Sequence, residues 1–184
     1  MDVSARAIYN PVQRDTAVFL KTVDETGGAF TLIEVEVAPG GGVGEHFHTG
    51  YTETFECMEG EVNIQQGKKI IVLKPGDKPV VTEKNTLHRF FNTSNKASRF
   101  TVLITPGCRG FEEGIQIAYG LARDGKTDRT GTPRRVAYLG ILLLLTQTKL
   151  PGWQGMIEKG LRWMGRRAEK RGVTDELRRT YVKI

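Results

Sequence analysis

Hydrophobic and polar residues alternate in short runs over the first two thirds of the chain. Thr31-Leu32-Ile33-Glu34-Val35-Glu36-Val37 puts Ile33, Val35 and Val37 on one face and Glu34 and Glu36 on the other. This is the pattern of a half-buried antiparallel strand. Residues 5–13 read as an N-terminal strand or arm and Ala17–Thr22 as a strand before it, with Gly27-Gly28 as a turn. Tyr51–Cys57 and Val62–Gln65 form a pair around Glu59-Gly60-Glu61, Gln66-Gly67-Lys68 turns into Ile70–Leu73, and Pro75-Gly76-Asp77 turns again. Lys78–Val81, Leu87–Asn92 and Arg99–Thr105 complete the set. Short strands at near-regular spacing with Gly/Pro punctuation predict a barrel or double-sheet jelly roll.

After Pro106-Gly107 the period changes. Phe111–Arg123 reads as a helix stopped by Asp124-Gly125, and Thr130-Gly131-Thr132-Pro133 offers a cap and first-turn proline for a helix through Leu145. Val136–Leu145 is apolar nearly all round, yet far shorter than the roughly 20 residues that span a bilayer. In Trp153–Arg171, Ile157, Leu161, Met164 and Ala168 form an apolar face, and Lys159, Arg162, Arg166 and Lys170 a basic one. Thr174-Asp175-Glu176 can cap a last short helix.

Length and charge refine this. At 184 residues the chain is long enough for one well-buried domain with an appendage, divided as 1–109 and 110–184. The net charge of +6 is unevenly spread: residues 1–122 carry 12 Lys+Arg against 15 Asp+Glu, and residues 123–184 carry 15 against 6. The basic extension is expected to pack on the barrel or at a subunit interface, because Val136–Leu145 needs cover. Peripheral membrane contact is a second reading, from Trp153, Trp163 and the basic face. Nucleic-acid contact is disfavoured, since no reading motif accompanies the arginines. Cys57 and Cys108 follow no disulfide or zinc pattern. Met1-Asp2-Val3-Ser4 lacks the basic start and apolar run of a signal peptide, so a reducing cytoplasm is the expected location.

The chemistry lies in the histidines. His46 and His48 are two apart, Glu53 follows five residues on, and His88 lies in a later strand. Alternation along a strand points His46 and His48 the same way. Glu53 on the return strand of a hairpin can meet them, and His88 can come in from a third strand. As ordinary strand polar residues they would have no reason to be so placed. Three neutral imidazoles and a carboxylate make an N/O set for one divalent transition metal per chain: Fe, Mn, Ni, Cu, Co or Zn rather than Ca or Mg. The parity that turns Glu53 inward also turns Phe55 and Cys57 inward, and that of His88 does so for Phe90 and Asn92. Phe55, Cys57 and Phe90 are the expected pocket walls and Asn92 a polar contact, with Phe55 and Phe90 equally readable as barrel core. Gly40–Gly44 precedes a strand, not a helix, and so is not read as a phosphate loop.

These residues also resemble a known family. Gly40, five residues, His46-x-His48, four residues, Glu53, six residues, Gly60 is similar to the first motif of the cupin superfamily. Pro75-Gly76-Asp77, His88 and Asn92 resemble the second. There the spacing from Gly76 to His88 is one residue longer than usual, and Thr82-Glu83-Lys84-Asn85 replaces Pro-x-Gly. Asn85 can take the left-handed conformation that glycine would supply. Asn10-Pro11-Val12, Leu20-Lys21-Thr22 and Gly120–Lys126 resemble single-domain bacterial cupins with a helical tail. The resemblance implies an all-β double-stranded β-helix barrel followed by C-terminal helices, a metal at His46, His48, Glu53 and His88, and a homodimer paired through sheet edges. Three functions fit: a dioxygenase or other oxidoreductase on a small chelating substrate, a non-catalytic small-molecule binding or sensing module, and a metal-assisted isomerase or lyase. Catalytic residues beyond the metal ligands are not assigned.

Overall fold

The computed structural model describes residues 6–152 and 154–183, so expectations on residues 1–5 and on Trp153 lie outside it. Ten strands precede the first helix: β1 (Ala7–Asn10), β2 (Asp15–Lys21), β3 (Thr31–Val37), β4 (Phe47–His48), β5 (Thr52–Glu59), β6 (Val62–Gln66), β7 (Lys69–Leu73), β8 (Val80–Thr82), β9 (His88–Phe91) and β10 (Ser98–Thr105). A large sheet runs β1-β2-β3-β10-β5-β8 and a smaller one β7-β6-β9, with every pairing antiparallel. Strand β3 has the bounds its alternation predicts. Ile33, Val35 and Val37 are buried and Glu36 is exposed. They join Phe19, Phe55, Phe100 and Val102 of the large sheet and Val62, Ile64 and Leu73 of the small one in a single core. Asn85 has φ 64°, the left-handed conformation its turn was expected to need, and its amide donates to His48 O at 2.7 Å.

Beyond Pro106 come α1 (Arg109–Arg123), α2 (Val136–Leu145), β11 (Thr148–Lys149), α3 (Gln154–Glu169) and α4 (Val173–Tyr181). The chain is thus about one-third strand and 28% helix, a double-stranded β-helix with four C-terminal helices and not strictly all-β. The helices are bonded to the strands. Glu112 of α1 accepts from Val23 N and Thr31 Oγ1, each at 2.6 Å, and Tyr119 donates to Asp15 Oδ2 at 2.8 Å. A second core joins Ile117 and Leu121 of α1 to Ile141, Ala168, Leu177 and Tyr181.

Three local expectations change. Helix α2 starts at Val136, because Asp128 Oδ1 accepts the amides of Thr130 (2.8 Å) and Thr132 (3.0 Å) and Thr127 bridges Pro133; a turn occupies the proposed cap. The buried stripe of α3 is Glu158, Leu161, Gly165 and Ala168, while Ile157 is exposed. Thr174 lies inside α4, whose preceding residue, Gly172, takes a left-handed φ of 78°. No described helix is long and apolar enough to cross a membrane.

Candidate metal centre

The four residues expected to act together meet in the barrel. His46 pairs with His88 through an isolated antiparallel bridge, with amide-to-carbonyl bonds of 3.0 and 2.9 Å. Glu53 sits on β5 between Ile104 of β10 and Thr82 of β8. One donor atom from each of His46, His48, Glu53 and His88 lies within 4.8 Å of the others. Glu53 spans the group: Oε2 is 2.7 Å from His88 Nε2, and Oε1 is 3.6 Å from His48 Nε2.

Hydrogen bonds on the far side of each ring set which nitrogen is offered. His46 Nδ1 donates to Gly44 O and His88 Nδ1 to Thr86 O, both at 2.8 Å, which makes Nε2 the nitrogen each ring presents to the cluster, that of His88 against Glu53. His48 Nδ1 lies 2.7 Å from Tyr51 Oη, 3.1 Å from Thr148 Oγ1 and 3.3 Å from Thr146 O. Its Nε2 is buried and has no hydrogen-bond partner. A buried imidazole nitrogen facing a carboxylate and two further nitrogens, with no hydrogen to bond, is what a divalent ion would satisfy. The donor set therefore fits a metal on the chain's own geometry.

Electrostatics agree. Removal from water pushes the His46 pKa down to about 3, reinforced by the neighbouring His48 and His88 charges. Burial also lowers that of His48 against the pull of Glu53. For His88, burial opposes the charged form, but the Glu53 hydrogen bond and charge outweigh it and raise the pKa. Glu53 drops to about 2, since the three histidines overcome the cost of its burial. Without a cation the cluster thus tends toward a His88⁺–Glu53⁻ pair, with His46 neutral.

A cavity of about 580 Å³ opens above the cluster. Phe55 and Phe90 line it, as strand parity predicts. Cys57 and Asn92 do not. The Cys57 thiol points to the carbonyls of Glu59, Gly60 and Arg99, because inward parity far along β5 reaches the distal core. Asn92 is buried as a turn brace, donating to Val37 O and Lys96 O and accepting from Ser94. Tyr51 and Thr148 were not singled out as ring supports. Tyr51 shares the inward parity of Glu53 and Phe55 and could have been read from it. Thr148 arrives on β11, which pairs with β4 (Thr148 opposite His48) and has no local sequence signal.

Residues 33–104 match the family model described as the cupin domain. The barrel of this chain is a cupin domain. Among curated proteins, the cupin segment is similar to a quercetin 2,3-dioxygenase of Bacillus subtilis (strain 168), 34% identical over 82 residues. That match covers 45% of this chain and 24% of the relative, so the chain spans about a quarter of its length. Among solved structures, a predicted oxalate decarboxylase of Thermotoga maritima is 25% identical over 50% of this chain and 80% of its own, with TM-score 0.47. A conserved protein with a double-stranded β-helix domain from Klebsiella pneumoniae subsp. pneumoniae MGH 78578 is 17% identical over 58% and 89%, with TM-score 0.48.

Proposed function

We propose that this cupin binds one divalent transition metal per chain through His46, His48, Glu53 and His88 and acts on a small chelating molecule, in the manner of a dioxygenase or other oxidoreductase. The unpartnered, buried His48 Nε2 among three convergent donors carries this reading. Fe, Mn, Ni, Cu, Co and Zn all suit the ligands. When bound, such an ion supplies a Lewis acid and, if redox-active, dioxygen chemistry beside a chelated substrate. The chain supplies the setting. Gly44 O and Thr86 O fix two rings, and Tyr51 with Thr148 braces the third. Phe55 and Phe90 give the space above apolar walls. The likeness of the barrel to a quercetin 2,3-dioxygenase supports the oxygenase branch.

A binding or sensing role is the second reading. Outside the cluster, the one carboxylate among the described lining residues is Glu45, which already accepts from Gln65 Nε2 at 2.8 Å. A metal-assisted isomerase or lyase, which moves protons, would have to recruit that same group.

Elemental analysis of the purified protein and of a His46→Ala/His88→Ala variant tests the proposal. One ion per chain, absent from the variant, is expected, and equal metal content in both would refute the ligand set. Oxygen uptake on adding an enolic or catecholic chelator then separates oxygenase from sensor. Metal affinity should decline with falling pH, because each ring must be neutral to bind. The decline should begin above the ordinary histidine value of about 6.5, since Glu53 holds a proton on His88.

A further inference from the structure

The cavity over the cluster is built by two parts of the chain. The barrel gives the floor and the lower wall. The segment after Pro106 gives the upper wall: Ile115 and Ala118 from α1, Leu139 and Leu142 from α2, and Leu150 beyond β11. This explains why α2 is apolar all round. On one side Gly140 meets the backbone of Leu161 and Gly165 in α3 so closely that a Cβ on either glycine would collide. On another, Leu139, Leu142 and Leu143 face the cavity, while Ile141 and Leu145 pack into the second core, so most of the helix surface is covered.

The wall's chemistry is selective. No Lys or Arg occurs among the described lining residues, although residues 123–184 carry 15 of them. A phosphorylated or polycarboxylate ligand would find no counter-charge there beyond an ion at the cluster. An aliphatic or aromatic body would gain about 25 cal/mol for each Å² it buries. The volume of about 580 Å³ is that of a small-molecule site and far exceeds a packing void.

We infer that the C-terminal helices are the recognition element of this site, and that they select a ligand with an oxygen-chelating head of at most one negative charge on an apolar body. This substrate class rests on the metal-binding reading above.

The test uses the full chain loaded with cobalt(II) and linear monocarboxylates from acetate to octanoate, followed by the cobalt d–d absorption and by calorimetry. Affinity should rise about fourfold per added methylene until the cavity is full. Leu142→Gln should flatten that rise. Leu139→Trp, which fills space and leaves the wall apolar, should bring the plateau to shorter chains. A flat series in the parent protein, or citrate binding more tightly than octanoate, overturns the inference. Failure of cobalt to bind refutes the metal reading instead. Calorimetry of the same series on the metal-free chain then decides: a methylene-dependent rise sustains apolar recognition by the helices, and none overturns it.

Discussion

At the scale of single residues, the site depends on groups that never touch a ligand. Tyr51 is 1% exposed and its hydroxyl lies between His48 Nδ1 at 2.7 Å and Thr146 O at 3.0 Å. It holds the ring so that Nε2 faces Glu53. Tyr51→Phe keeps the packing and removes the brace, so metal affinity should fall by about 10–100-fold while the fold survives. A metal titration with circular dichroism as control checks this; an unchanged affinity would mean that Thr148 suffices. Asp15, also 1% exposed, illustrates burial without full compensation. Desolvation lifts its pKa to about 7 despite the Tyr119 bond, and its Oδ1 has no partner. The folded state therefore holds a proton that the unfolded chain releases near pH 4. Stability should decline as pH rises from about 4 to about 7, by about 4 kcal/mol at most, and stay low above that. Asp15→Asn should remove that slope in urea melts across the range.

At the scale of elements, the two-residue strand β11 matters more than its length implies. It is held from behind by α3. Glu158 accepts from Leu150 N at 3.0 Å and from Arg162 Nε at 2.7 Å. Arg162 in turn donates to Leu143 O at 3.0 Å and Thr148 O at 2.6 Å. Arg162 was expected on the outer basic face of its helix. It is instead a half-buried latch, its guanidinium joining a carbonyl of the last turn of α2 to one of β11. Arg162→Ala should leave those carbonyls short of donors, cost about 1–3 kcal/mol, and release β11 from His48. Faster amide exchange at Thr148–Leu150, with the β10 core unchanged, is the outcome to look for; uniform change across the chain would contradict a local latch. The barrel elements were legible because each strand has a period and a turn of its own. Strand β11 was not, because two residues have no period and its partner lies about a hundred positions upstream.

At the scale of the whole molecule, cationic charge and cavity are kept apart. The basic surplus lies in the extension, yet the cavity wall contributed by that extension is apolar or hydroxylic. Trp163 is 60% exposed beside Arg167, and of the basic face expected on α3, Lys159, Arg166 and Lys170 are exposed while Arg162 is not. Pairing of two copies, expected from the family resemblance, has a candidate surface in the barrel: edge strand β7 exposes Ile70 and Val72. Light scattering should report a dimer for the parent chain and a monomer for Ile70→Lys/Val72→Lys; a monomer in both would dismiss the expectation.

By itself, the sequence determined the barrel strands, the inward parity of His46, His48, Glu53 and His88, and the left-handed Asn85 turn. Each follows from a period of two or from one residue's conformational range. Only the tertiary structure decided that Cys57 and Asn92 serve the core and a turn, that Tyr51 and Thr148 brace His48, and that the helical extension roofs the cavity. Those outcomes depend on contacts between segments far apart in the chain. Alternation along a strand gives the side a residue faces, but not what another segment brings to meet it.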